Sequence, residues 1–248
     1  MIKFFRKIRQ NSLSEGKTGK YFKYAIGEII LVVIGILIAL QINNWNELKK
    51  TRMKEHFALI EIISDLEQNI SSINGIVFTD INSISKCVNS LNIIIVNMEQ
   101  TKVYHDSLSI HFWQNFRYPD LDIKSSGYES LASIGMDLIN DNELRSNIGK
   151  YYTYFIPDVK AAYQELRDDF YHYMLDILRT EFIAIGTNSD SRKVIPVKYE
   201  SLLKNREYIE SLKAYIYVFD YYQEKSIETI DESKRLKKLI ENHLNNKD

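Results

Sequence analysis

Acidic residues and a histidine are spaced so that a helix would place them on one face. Asp168, His172 and Asp176 follow one another at four-residue steps, and Asp169 stands three residues before His172. Carboxylate and imidazole groups at this spacing bind metal ions in helical bundles, but a dinuclear site needs the motif twice and two further carboxylates. The sequence has no partner Glu-x-x-His motif. We therefore predict a solvated, charged helix face without a metal, and keep a bundle metalloprotein as a remote alternative.

Other side chains that could take part in catalysis or metal binding also lack partners at a useful spacing. His105, Asp106 and His111 lie in a stretch without regular periodicity, and their spacing matches no metal-binding pattern. Cys87 is the single cysteine, which excludes an intrachain disulfide and a cysteine-based zinc site. The sequence contains no Gly-x-Ser-x-Gly motif, no phosphate-binding glycine loop and no His-Glu-x-x-His motif. These observations predict a protein that is not an enzyme and that has no cofactor.

The elements that would position these side chains are predicted to be helices. The 248 residues include only nine glycines and three prolines, and apolar residues recur at alternating steps of four and three, as in a helix packed along one stripe. The first stripe comprises Leu59, Ile63, Leu66, Ile70, Ile73, Val77, Ile81, Ile84, Val88, Leu91, Ile95 and Met98. An extra four-residue step near Gly75–Asp80 leaves two alternatives for residues 59–98, one bent helix or a hairpin. We favour one helix.

The remaining chain is predicted to contain two more long helices and two connections. Residues 100–140 have no sustained period and are interpreted as irregular, with a turn or two of helix and a short helix ending at Gly135. Asn140 and Glu143 form a predicted capping box, and Pro157 should kink the helix that follows. A turn-rich connection over residues 184–200 then leads to a final helix from about Arg206 to Asn245.

The segment Tyr24–Glu47, YAIGEIILVVIGILIALQINNWNE, is too apolar for an ordinary surface helix. Residues 24–42 would extend about 28 Å as a helix, close to the thickness of a bilayer core. Tyr21, Phe22, Tyr24 and Trp45 flank the apolar run as interfacial aromatic residues do. We predict a transmembrane helix over 24–42, rather than a cleaved signal peptide or a buried core helix. The fold class is then all-α: one N-terminal transmembrane helix that continues into an elongated antiparallel helical bundle.

The charge distribution predicts the orientation of this span. Residues 1–23 carry a charge of roughly +6, whereas the whole chain has a net charge of −1. Because basic flanks stay in the cytoplasm, residues 1–23 are predicted to be a basic cytoplasmic or interfacial arm. Residues 43–248 are predicted to be exported to the periplasm, as the helical bundle of a bacterial inner-membrane protein. So short a basic arm does not predict nucleic-acid binding.

Small residues recur on one side of the predicted span. Gly35 and Ala39 form a small-x-x-x-small pair, and Gly27 lies eight residues before Gly35. Such residues allow close helix approach in lipid, so this face, with Glu28 beside it, is compatible with a homo-oligomer formed through the span. Equally open is a lone anchor whose Glu28 side chain extends to the lipid headgroups. An alternative is an oligomeric pore or transport accessory in which Glu28 lines a polar path.

Two blocks of the sequence are similar to a known family. The first is YFKYAIGEIILVVIGILIALQINNWNE, and the second is SSGYESLASIGMDLINDNELRSNIGKYY, from Ser125 to Tyr152. They resemble an uncharacterised family of bacterial single-span inner-membrane proteins, a domain of unknown function. The resemblance implies a Gram-negative inner-membrane protein with a helical exported domain. It implies no activity, so no functional residue is carried over from the family.

The second block is the predicted location of partner binding. Irregular segments supported by rigid helices commonly carry binding residues. The predicted interaction segment comprises Ser126, Tyr128, Glu129, Ser130, Leu144 and Tyr151. The tyrosine-rich stretches KYYTYF and YIYVFDYY are expected to pack their rings and keep their hydroxyls in water. The sequence thus predicts a membrane-anchored, non-enzymatic protein whose bundle senses, scaffolds or binds an unknown protein partner.

Overall fold

The computed structural model describes residues 18–79, 83–186 and 193–246. The predicted arm is therefore mostly outside the described residues, as are Asp80 of the predicted turn and residues 187–192 of the predicted connection. The side chains of Tyr21 and Tyr24 are also outside them. The chain divides into two compact units, the first ending at Glu55 and the second beginning at His56. The all-α prediction is confirmed.

Helices account for most of the described residues, because few glycines or prolines interrupt the apolar stripes. The α-helices are α1 Thr18–Asn74, α2 Ile84–Val96, α3 Leu108–Asn115, α4 Ser126–Ile134, α5 Asn142–Lys150, α6 Ile156–Asp169, α7 Leu175–Glu181, α8 Tyr199–Leu202 and α9 Arg206–Asn245. Wider π-helical turns occur at Gly75–Thr79, Asn97–Thr101, Tyr151–Phe155 and Phe170–Met174, and a 3-10 turn occurs at Met136–Leu138. The final helix has the predicted bounds.

The predicted single helix over residues 59–98 is interrupted, but the chain does not turn back. The α1 helix ends at Asn74, a π-helical turn follows, and α2 begins at Ile84. Glu67 forms an ion pair with Lys237, and Glu99 forms one with Lys213. From Glu67 to Glu99 along the chain, the ion-pair partner on α9 changes from Lys237 to Lys213, which is nearer the start of that helix. A hairpin would instead return Glu99 toward the partner of Glu67, so both α1 after residue 56 and α2 run antiparallel to α9.

The second long helical run, from Asn142 to Glu181, contains two wide turns. Tyr151–Phe155 is π-helical and ends two residues before Pro157, which occupies the first turn of α6. Because proline has no backbone N–H to donate, an irregular turn at this place follows from the sequence. The predicted capping box is wrong by one residue. Asp141, not Asn140, caps α5, and its Oδ1 accepts the Leu144 N–H at 3.0 Å.

The predicted turn-rich connection contains a two-stranded antiparallel ribbon. Strands β1 Phe182–Ile185 and β2 Lys193–Pro196 pair with Phe182 opposite Pro196. The sequence pattern missed them because each strand has only four residues. The predicted short helix ending at Gly135 is confirmed, since α4 ends at Ile134 and Gly135 adopts a φ of 122°. A positive φ favours glycine at this position.

The helices enclose two apolar cores, both of which use α9. The first core includes Ile73, Cys87, Leu91, Phe112, Leu166, Phe170, Tyr208, Tyr215, Phe219 and Tyr222. The second core includes Leu59, Ile62, Leu66, Leu131, Leu144, Ile148, Tyr151, Leu236 and Ile240. Both lie in the unit that begins at His56. The α9 helix contributes to the first core with residues nearer its start and to the second core with residues nearer its end, so it connects the two cores.

Tyrosines of α9 enter the first core more deeply than predicted. Tyr208, Tyr215 and Tyr222 recur every seven residues, and each is at most 1% exposed. Their hydroxyl oxygens are buried as well. The expectation that the hydroxyls of YIYVFDYY stay in water is therefore wrong for Tyr215 and Tyr222, whereas Tyr217 of the same stretch is 72% exposed. Burial raises the pKa of all three phenols, and Asn115 lies beside the Tyr208 hydroxyl.

Candidate functional site

The apolar part of α1 is uncovered by the rest of the described chain. It contains an 18-residue window with a mean hydropathy of 2.6, none of which is buried. Side chains from Ile29 to Leu40 are exposed, as are Phe22 and Trp45. A core helix of the same composition would bury one stripe against its neighbours. The helix is therefore long and apolar enough to cross a membrane, and the described chain does not use it as a core helix.

The predicted association face lies open along this helix. Gly27, Glu28, Gly35 and Ala39 are all exposed. A Cβ atom placed on Gly27 or Gly35 would meet no atom within 4 Å. Larger side chains at these two glycines would therefore cause no clash within the chain.

The predicted interaction segment begins with a contact between α4 and α1. Asp65 of α1 is 3% exposed, and its carboxylate accepts a hydrogen bond from the Ser126 hydroxyl at 2.9 Å. It also accepts the Gly127 N–H at 2.6 Å. A helix begins with unpaired N–H groups and a partial positive charge, which a carboxylate can satisfy. Asp65 thus holds the first turn of α4 against α1.

The same contact explains why residue 127 is glycine. A Cβ at Gly127 would lie 2.7 Å from the Glu61 carbonyl carbon and 2.7 Å from the Ile62 nitrogen. Both atoms belong to the backbone of α1, which cannot move aside as a flexible side chain can. The glycine therefore allows the two helices to approach closely.

A second contact holds the segment just before α4. The Asn69 side chain donates to the Lys124 carbonyl at 2.9 Å and accepts the Lys124 N–H at 2.7 Å. Asn69 also donates to the Tyr151 hydroxyl at 3.4 Å, and that hydroxyl shares a hydrogen bond with Ser233 at 2.8 Å. Since Asn69 is fully buried, these bonds satisfy an amide that water cannot reach. Tyr151 is therefore part of the fold.

The other predicted interaction residues divide between core and surface. Leu144 is buried in the second core, and Tyr128 stacks on Tyr152 with ring centroids 4.4 Å apart. Ser130 is half-buried, and Glu129 is exposed and accepts a hydrogen bond from Ser125. The outward part of α4 is formed by Glu129, Ser133 and Ile134. This surface is small and open to solvent.

The acidic and histidine residues of the first motif lie on an outer surface. Asp168 accepts from Gln164, and the His172 ring contacts the Asp168 carbonyl oxygen at 2.7 Å. Asp176 lies 4.0 Å from Arg179 in an exposed ion pair. The π-helical turn Phe170–Met174 changes the spacing that an ideal α-helix would give these residues. Burial and the neighbouring Asp168 raise the pKa of Asp169.

The remaining chemical candidates are separate from one another. His111 is half-buried with its ring 3.2 Å from the Ser90 hydroxyl, and burial lowers its pKa. Cys87 is fully buried, and burial raises the pKa of its thiol to about 11. His105 is exposed. Within residues 18–79, 83–186 and 193–246, no group of three or more His, Cys, Asp or Glu residues is placed to hold a metal ion.

The sequence predictions missed Asp65 and Asn69, although a signal for them exists. They are four residues apart and lie on the inward face of α1 between buried apolar residues. Buried polar residues need partners, so polar residues on an apolar stripe indicate a specific contact. Only the fold shows which residues provide the partners.

Comparison with known proteins gives one match. The model of a family described as a family of unknown function (DUF6090) matches residues 28–169. The matched range covers the apolar helix from Glu28 onward and all of the second block, Ser125–Tyr152. No match was found among curated proteins. No match was found among solved structures.

Proposed function

This chain belongs to the DUF6090 family of unknown function, and from that premise we propose that it is a single-span protein of a bacterial inner membrane. Its span is the apolar part of α1, and its bundle has a non-enzymatic role in binding a protein partner. The observation that carries the proposal is the uncovered window of mean hydropathy 2.6 in α1. As a helix, 18 residues extend about 27 Å, which matches a bilayer core of about 30 Å.

The orientation is argued from charge. The arm before the span is strongly basic, with a charge of roughly +6, and Lys49, Lys50, Arg52 and Lys54 follow the span. The larger basic cluster favours a cytoplasmic arm. Residues 43–248 would then fold in the periplasm.

The non-enzymatic part of the proposal is supported by the titratable groups. The Cys87 thiol is buried with a raised pKa, which makes a poor nucleophile. His172 and Asp176 lie on an exposed helix surface rather than in a cleft. Partner binding is assigned to the outward part of α4, where Glu129, Ser133 and Ile134 are exposed on a rigidly held helix.

Membrane insertion is tested by fractionation and reporter fusion in a bacterial host. The full chain should stay in the membrane pellet after alkaline carbonate extraction. A reporter that is active only in the periplasm should be active when fused after Asp248. A protein released by carbonate, or a fusion active only with a cytoplasmic reporter, would overturn this proposal.

Partner binding is tested with a photo-crosslinking amino acid placed at Ile134 and, as control, at Tyr217. Both side chains are exposed, at 55% and 72%, but Tyr217 is on α9. A specific partner should crosslink at Ile134 and not at Tyr217. The assignment to α4 fails if Ile134 yields no adduct or if the two positions give the same adducts.

A further inference from the structure

A groove of about 850 Å³ runs along the second unit between α1 and α9. Its walls are the part of α1 from His56 to Ile70 and the last turns of α9. The lining residues are His56, Ile60, Ile63, Ile70, Lys234, Lys237, Lys238, Glu241, Asn242, Leu244 and Asn245. None of them belongs to the metal candidates or to the predicted interaction segment. The groove is therefore a separate feature of the bundle.

The floor of the groove is apolar and remains in contact with solvent. Ile60 is 45% exposed, and Ile63, Ile70 and Leu244 are half-buried. Aliphatic side chains in a concave surface favour an occupant with its own apolar surface, because each buried Å² contributes about 25 cal/mol. An inorganic anion would leave this floor uncovered.

One wall of the groove is cationic. Lys237 is held by Glu67 at 2.7 Å and by Glu241 at 3.6 Å. Lys234 and Lys238 lie four residues apart on the same face of α9, and neither forms an ion pair with another described residue. Lys237 is therefore paired with two carboxylates, and Lys234 and Lys238 are the lining lysines left to attract an anion. The occupant that complements this wall is an anion.

A second copy of the chain does not satisfy both requirements. A symmetric interface through this groove would place the same surface on both sides of the contact. Lys234 and Lys238 would then be present on both sides of the contact, which would bring two cationic walls together around the apolar floor.

We propose that the groove binds an anionic phospholipid, with its acyl chain along Ile60, Ile63 and Leu244 and its phosphate at Lys234 and Lys238. The inference rests on the proposed function, since α1 carries both the membrane segment and one wall of the groove. The membrane that anchors the chain is a source of molecules with the required apolar chain and negative headgroup. Because Ile60 is eighteen residues beyond Ile42, about 27 Å along a helix, the lipid in the groove is one that has left the bilayer.

The test uses the full chain in nanodiscs with a photoactivatable phosphatidylglycerol that carries a diazirine on its acyl chain. Peptide mapping by mass spectrometry identifies the labelled residues. Label is expected on the peptides that contain residues 56–70 and 234–245, in addition to the span. A phosphatidylcholine probe of the same design should label the groove about tenfold less, because each nearby lysine favours the anionic lipid.

Charge-reversal variants provide the matched comparison. Lys234→Glu combined with Lys238→Glu should lower groove labelling about tenfold and leave labelling of the span unchanged. Lys160→Glu combined with Lys204→Glu reverses the same charge at exposed lysines outside the groove and should change neither. A milder pair, Lys234→Gln with Lys238→Gln, should give an intermediate loss.

The outcomes separate the two proposals. Label in the span without anionic-specific label in the groove overturns the lipid site alone. Absence of label from the span as well overturns membrane insertion, and the lipid site fails with it. Groove labelling that the reversed lysines do not reduce would show that the phosphate contact is wrong.

Discussion

Gly127 and Asp65 together determine how α4 begins. The glycine brings the α4 backbone against α1, and the carboxylate satisfies the first N–H groups of α4. Both residues are buried, so neither is available to a partner. Much of the second family-like block therefore serves to join helices.

Gly127→Ala should lower the free energy of unfolding by about 2 kcal/mol, because its Cβ would overlap the α1 backbone. Gly149→Ala is the matched control, since a Cβ there meets nothing within 4 Å. In the interior of α5 the alanine should raise stability by about 0.5–1 kcal/mol. Urea denaturation of the full chain in detergent, followed by circular dichroism, measures both. Equal effects of the two substitutions would contradict the close approach at Gly127.

Asp141→Ala should lower stability by about 1 kcal/mol at neutral pH through loss of the α5 cap, whereas Asn140→Ala should have little effect. The hydrogen bond from the Leu144 N–H, with His243 nearby, lowers the pKa of Asp141 in the folded chain. As the pH falls, Asp141 therefore becomes protonated at a higher pH in the unfolded chain than in the folded chain. The difference between wild type and Asp141→Ala should shrink as the pH falls through 3.8 and below it. A difference that is constant with pH would argue against an ionised cap.

Residue-level predictions from the sequence were limited by contacts between distant positions. The capping-box spacing to Glu143 indicates Asn140 as the cap, but the neighbouring Asp141 makes the bond. Asp65 and Ser126 are 61 residues apart along the chain. No local pattern pairs them, because that pairing depends on how α1 and α4 pack.

At the scale of elements, regular helices were predictable and their interruptions were not. The bounds of α9 follow from a long stripe without breakers, capped by Asn205. π-Helical turns occur at Gly75–Thr79 and Phe170–Met174, and neither contains a residue type that marks a wider helical turn. Periodicity alone therefore does not locate them. The strands at Phe182–Ile185 and Lys193–Pro196 are too short for alternation to identify.

The α1 helix also carries a prediction about self-association. Gly35→Ile should reduce dimer crosslinking in membranes about tenfold if the small-residue face forms the contact. Because a Cβ at Gly35 meets no atom within 4 Å, the substitution should not disturb the chain itself. Val33→Ile adds bulk on the opposite side of the helix and should leave the yield unchanged. The same yield from all three proteins would argue against association through this face.

At the scale of the whole molecule, the proposal places the two ends of α1 in different compartments. Cys87 is fully buried with a raised thiol pKa, so the natural protein should not react with a membrane-impermeant maleimide. In intact spheroplasts, Ser133→Cys on the exposed part of α4 should be labelled. Ser14→Cys in the basic arm should be labelled only after lysis. Labelling of Ser14→Cys alone in intact cells would reverse the orientation.

The repeated tyrosines of α9 give the folded chain an optical property. Tyr208, Tyr215 and Tyr222 have phenols that burial holds in the protonated form at alkaline pH. A phenolate absorbs more strongly near the ultraviolet edge than the protonated phenol does. The three interior rings should contribute only when the first core opens. Alkaline absorbance would then report loss of that core without an added dye.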